Sequence, residues 1–223
     1  MLKIFSWVLL IVSFANGTES LIDPSKPWVI VFLDIDGVLY REPARHNFHK
    51  ERKAKMIEIF GKLDKYWSYH YDRATAYYFD PQAVTFLEDF IHQTSLIFNV
   101  GIVISSAWRE GRTLEELREV FSSWPFSRFI IDRTVGASFS GYTQEEIKNF
   151  RYGIPLRADQ IKHWLCNHSE MDIANFVIFD DQDGDLSVRF PDQFVRVDKS
   201  YLSLENIEAA MSIIHTPKNL IDN

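Results

Sequence analysis

Unbroken apolar runs alternate along the chain with stretches whose apolar residues recur at helical spacing. The first run, Trp28-Val29-Ile30-Val31-Phe32-Leu33, has no polar interruption. Such a run predicts a strand buried on both faces of a parallel sheet. Pro27 suits the position at its start. Val100–Ile104, Phe129–Ile131, Phe176–Phe179 and Phe194–Val197 predict four more strands. Between them, Asp80-Pro81 reads as an N-cap followed by proline at the first helical position, with Val84, Leu87 and Ile91 on one face. Thr113 and Glu116 have capping-box spacing, and the helix they open turns Leu114, Leu117 and Phe121 inward. Asp159 is expected to cap a helix holding Ile161, Trp164 and Leu165, and Leu204, Ile207, Met211 and Ile214 stripe the last helix. Residues 136–155 read as loop with a short helix at Gln144–Asn149. Strands alternating with helices predict an α/β fold, a Rossmann-like parallel sheet with helices on both faces.

Length and composition narrow this only slightly. At 223 residues, with 46% hydrophobic and 25% charged residues, the chain suits one globular domain with an insertion. The net charge of -7 disfavours broad electrostatic binding to nucleic acid. The lone cysteine, Cys166, excludes an intrachain disulfide framework and reads as core, as does Trp164. Residues 1–17 need separate treatment. Lys3, an apolar stretch from Ile4 to Phe14, and Ala15-Asn16-Gly17 read as a signal peptide cleaved near Gly17. The stretch is too short for a stable membrane span. These features predict a secreted or periplasmic protein whose domain occupies residues 18–223.

Candidate chemistry gathers at the strand ends. Asp34-Ile35-Asp36-Gly37 places two carboxylates two residues apart after the first strand, with a glycine that permits a sharp turn. Two adjacent acids in a water-poor site repel, and a hard divalent cation such as Mg²⁺ resolves this. The alternative is a strand end whose acids only cap a turn. Ser105 and Ser106 follow the second strand, and Asp180 and Asp181 end the fourth. Parallel strands share a carboxyl-terminal edge, so all these groups meet there, where open α/β sheets bind ligands. An insertion over residues 41–79 begins with Arg41, Arg45, Lys50, Arg52, Lys53 and Lys55 and ends rich in aromatics, among them Trp67 and Tyr71. Basic charge interleaved with aromatics can grip phosphates and stack on bases. A solvated helical cover over the site is the simpler reading for most of these residues.

Taken together, Asp34-Ile35-Asp36-Gly37-Val38, the apolar run into Ser105, a basic residue before a helix, and Phe179-Asp180-Asp181 resemble the four motifs of the haloacid dehalogenase (HAD) superfamily of phosphohydrolases. Phe79-Asp80-Pro81, Ile104-Ser105-Ser106-Ala107-Trp108-Arg109, Arg157 and the closing Asp180-Asp181 look like the HAD domain of Swiss Army knife RNA-repair proteins. The resemblance implies the HAD fold, with the insertion placed after the first strand. It also implies a Mg²⁺-dependent phosphomonoester hydrolase acting on a small phosphorylated substrate or a nucleic-acid end. Asp34 would be the nucleophile, forming an aspartyl-phosphate. Asp36 would be the acid and base. The ion would be held by Asp34, the Asp36 main-chain carbonyl and Asp180, with Asp181 as a further acid.

Ser105, with Ser106 competing for the role, would hold a phosphate oxygen. Arg157 is the expected cationic clamp and Lys162 the runner-up. The family more often uses lysine there, so an arginine marks the subgroup. Arg109 is a candidate second clamp. Asp183 and Asp185 are expected to shape their loop, and His163 and His168 read as solvated. A catalytically silent phosphate-binding protein and a phosphotransferase on the same fold are the competing functions. The acid at Asp36 argues against the first, because a binding module needs no acid two residues past the nucleophile.

Overall fold

A computed structural model describes residues 22–40, 54, 57–58, 76, 78–136, 142–150, 155–198 and 201–216. The expected leader at residues 1–17 and nearly all of the expected insertion at 41–79, including Arg45, Lys50, Arg52, Lys53, Trp67 and Tyr71, lie outside the described residues. The five predicted strands form one parallel sheet. They are β1 (Trp28–Leu33), β2 (Asn99–Ile104), β3 (Ile130–Arg133), β4 (Ile173–Asp180) and β5 (Phe194–Arg196). Their order is β3-β2-β1-β4-β5. Helices among the described residues include α1 (Pro81–Ser95), α2 (Leu114–Val120), α3 (Gln144–Asn149), α4 (Arg157–Asn167), α5 (Leu186–Arg189) and α6 (Leu204–His215).

The unbroken apolar run of β1 follows from its place at the centre. Val29, Val31 and Leu33 point into one core with Leu87 and Phe90 of α1 and Ile207 and Ile214 of α6. Ile30 and Phe32 point into a second, with Ile161 and Trp164 of α4. All five of these β1 side chains are fully buried. Each Val, Ile, Leu or Phe so buried contributes about 1.5–3 kcal/mol. A polar residue on either face of β1 has no water to meet.

Capping follows the sequence closely. Asp80 accepts from the Ala83 amide at 2.9 Å with Pro81 at the first helical position. Thr113 and Glu116 exchange their two capping bonds at 3.2 and 2.8 Å. The short helix α3 occupies its predicted span.

Several expectations are corrected. Helix α4 starts at Arg157, and Asp159 serves it from the third position, accepting from the Leu156 amide at 3.0 Å. Phe129 closes a 3-10 turn over Pro125–Phe129, and β3 begins one residue later. Cys166 is exposed on α4, because the inward stripe of that helix runs through Ala158, Ile161 and Trp164. Leu204 is also exposed, standing at the first position of α6. His168 is not a free solvated side chain: it stacks on Trp164 with ring centres 3.9 Å apart and sits 3.4 Å from Asp132. His163 pairs with Asn167 at 2.8 Å. No helix among the described residues is long and apolar enough to cross a membrane.

Candidate active site

The strand order places β1 between β2 and β4, and the chain reverses its lateral progress where it crosses from β3 to β4. The crevice outside the carboxyl ends of β1 and β4 is therefore the ligand-binding position of such a sheet. Ladder hydrogen bonds continue one residue past the strands and fix what stands there. The Asp34 amide donates to the Phe179 carbonyl at 3.0 Å, Ser105 to Leu33 at 2.9 Å, and Thr134 to Ile104 at 3.0 Å. These groups are placed by the sheet itself.

Asp34 and Asp180 are buried, and Asp181 is half-buried. One carboxylate oxygen from each of these three lies within 4.8 Å of the others. Burial is the main force raising the pKa of Asp34, opposed by the charge of Arg157. Asp180 is raised as well, by burial and then by the neighbouring Asp34 charge. The Arg157 guanidinium answers both, with Nη1 3.6 Å from Asp34 Oδ1 and 3.3 Å from Asp180 Oδ2. That nitrogen makes no hydrogen bond among the described residues beyond these two ion-pair contacts. Asp181 Oδ1 is likewise buried without a hydrogen-bond partner among them. A set of close, all-oxygen, incompletely satisfied donors fits a hard divalent cation such as Mg²⁺.

Asp36 stands at the rim, exposed, and its side chain is outside this group; its expected contribution to the ion is the main-chain carbonyl. Desolvation and the charge of Asp34 push its carboxyl up to about 6. Trp108 donates its indole N–H to Asp36 Oδ2 at 2.9 Å. Ser105 and Ser106 are both buried at the end of β2. The Ser105 hydroxyl has no hydrogen-bond partner among the described residues. The Ser106 hydroxyl lies near enough to Asp34 to favour its charged form. Thr134, one strand further out, presents a third buried and unpartnered hydroxyl that the sequence did not single out.

Arg109, the candidate second clamp, has its guanidinium turned to carbonyls and to Gln160. It is buried, and its guanidinium donates to the carbonyls of Thr134 at 3.1 Å and Val135 at 3.2 Å, to the Ser106 carbonyl, and to Gln160 Oε1 at 2.5 Å. It ties the turn after β2 to the loop after β3. Lys162 is exposed on α4. Asp183 and Asp185 shape the β4–α5 loop as expected: Asp183 accepts from the Ser187 amide at 3.2 Å, and Asp185 from the Ala158 amide at 3.4 Å. A cavity of about 350 Å³ opens beside Arg157 and Asp180, walled by Leu156, Gln182 and Asp183.

Gly37 is required twice. Its φ is +78°, and a Cβ there would fall 2.3 Å from Asp181 Oδ2. Gly37→Ala is expected to push Asp181 out of the acid group. Backbone strain of about 1–3 kcal/mol should lower the melting temperature by about 2 °C or more, given a slope of roughly 2–4 °C per kcal/mol. Thermal unfolding of the variant measures this, and an unchanged midpoint would show that the turn tolerates a side chain.

A parallel α/β sheet with paired acids after β1, hydroxyls after β2, a cation at the start of α4 and paired acids ending β4 is a HAD-type domain. Residues 30–207, well over half of the chain, match the family model of the HAD domain in Swiss Army Knife RNA repair proteins, and the chain belongs to that family. Membership supports a HAD-type phosphohydrolase activity in general terms. No curated protein and no solved structure matches the chain.

Proposed function

We propose that the chain is a magnesium-dependent phosphomonoester hydrolase that works through an aspartyl-phosphate on Asp34. One observation carries the reading: three carboxylates converge within 4.8 Å at the carboxyl edge of the sheet, with the Arg157 guanidinium against two of them. Replacing buried charges by well-packed apolar residues is often neutral or stabilising, so acids brought this close point to a use in chemistry.

Asp34 attacks phosphorus, and the bond to the leaving oxygen breaks. Asp36 gives its proton to that oxygen, then takes a proton from the water that cleaves the aspartyl-phosphate. Arg157 and the Ser105 and Ser106 hydroxyls hold the phosphate oxygens as charge shifts between them. Asp34, Asp180 and Asp181 are the residues that would hold Mg²⁺, whose charge offsets the repulsion between the carboxylate nucleophile and the phosphate. The family description names RNA repair, so phosphorylated RNA ends join nucleotides as the favoured substrate class.

The test is phosphate release by the purified full-length chain from nucleotides, sugar phosphates, and RNA and DNA ends carrying a terminal phosphate, with Mg²⁺ present. Release from at least one class is expected, with nucleotides or RNA ends turned over best. Binding of phosphorylated ligands without release from any of them would favour the silent reading. Transfer to an added alcohol in preference to water would favour phosphotransfer.

A further inference from the structure

We infer that Trp108 is a positioning residue for the reaction, holding Asp36 so that one chosen oxygen carries the proton. The inference rests on the reading of Asp36 as the acid and base. Asp36 stands at the rim of the site, where a carboxyl can turn about its side-chain bonds unless something holds it. The one hydrogen bond that the described residues give its side chain is from Trp108 Nε1 to Oδ2, at 2.9 Å. An indole N–H donates and cannot accept. It therefore occupies Oδ2 as an acceptor and leaves Oδ1 to carry the proton toward the leaving group.

The donor is far better fixed than the acceptor. The Trp108 side chain is buried and packed against three rings: Phe79 at 5.7 Å, Phe121 at 5.8 Å and 16° from parallel, and Tyr40 at 6.2 Å. Its backbone lies in the 3-10 turn Ala107–Arg109. The neighbouring Arg109 clasps that turn to the Thr134 and Val135 carbonyls and to Gln160. Arg109 thus contributes at one remove, by anchoring the turn from which Trp108 points. The competing explanation runs the other way, with Asp36 serving only to satisfy a core indole.

Leaving-group dependence separates the two. An alkoxide leaves poorly without a proton, whereas p-nitrophenolate leaves readily without one. kcat/KM reports the step that expels the leaving group. Trp108→Phe keeps the ring and deletes the N–H. It should lower kcat/KM for a simple alkyl phosphate by about 10- to 100-fold, part of the roughly 10²–10⁴-fold that a positioned acid supplies. The loss on p-nitrophenyl phosphate should be no more than a few-fold. The ratio of the two rates within one preparation does not depend on how much of the variant is folded, so partial unfolding does not blur the result. Trp108→His, which retains a ring N–H, should recover part of the ratio. Equal losses on both esters would overturn the inference and leave Trp108 a packing residue. Asp36→Asn is the reference. If it shows no preference for the aryl ester, the assignment of Asp36 as acid falls. If it shows one and Trp108→Phe does not, only the role of Trp108 falls.

Discussion

Asp34→Asn should cut steady-state phosphate release by a factor on the order of 10⁴ or more, since removing the nucleophile of a covalent mechanism leaves only positioning and electrostatics. The amide is nearly the shape of the carboxylate but cannot form the acyl-phosphate. Folding should survive. Asp34 is buried beside two other acids, and burial already disfavours its charge. A neutral side chain there removes repulsion from Asp180 and Asp181 while losing the Arg157 ion pair. Far-ultraviolet circular dichroism and the melting temperature check the fold, and phosphate release checks the chemistry. Wild-type protein quenched during turnover should carry a phosphoryl adduct on the peptide containing Asp34, visible by mass spectrometry and missing from the variant. Turnover by Asp34→Asn within a few-fold of wild type would remove the nucleophile from this position.

The positions of these acids were legible because they depend on backbone rules of short range. A continuous apolar run means a strand covered on both faces, and β1 has that pattern because Ile30 and Phe32 face one core while Val29, Val31 and Leu33 face the other. Parallel strands then force Asp34, Ser105 and Asp180 to one edge whatever the helices do. Long polar side chains were harder to place, because their destinations depend on tertiary contacts. Arg109 and Gln160 meet across 51 residues, and nothing near Arg109 in the chain shows that carbonyls will surround it. Trp108 and Asp36 are 72 residues apart, so the sequence alone assigns the Trp108 indole no role. The pairing of His168 with Asp132 was hidden in the same way. Cys166 is a different case. It is apolar by type, but its helix turns Ile161 and Trp164 inward and leaves the cysteine on the opposite side.

Metal removal should abolish activity, and Mg²⁺ should stabilise the folded protein measurably. Three carboxylate oxygens within 4.8 Å repel one another strongly, and among the described residues the ion pairs that oppose them come from Arg157, at 3.3 and 3.6 Å on two of the three. A cation that binds the folded state alone adds about 2.7 kcal/mol at a concentration 100 times its Kd. At roughly 2–4 °C per kcal/mol for a chain of this length, the melting temperature should rise by about 5–10 °C on saturation. Asp180→Asn and Asp181→Asn should each shrink that rise and raise the Mg²⁺ needed for half-maximal turnover by about tenfold or more, as one carboxylate of the set is lost. Asp180→Asn should do more, because Asp180 is the more deeply buried and water can replace it less easily. Calcium is a useful control. It prefers more ligands at longer distances, so it should lift the melting temperature while supporting little or no turnover. Full activity in excess EDTA, together with a melting temperature indifferent to Mg²⁺, would mean that Arg157 alone neutralises the acid group and that the chemistry proceeds without a metal.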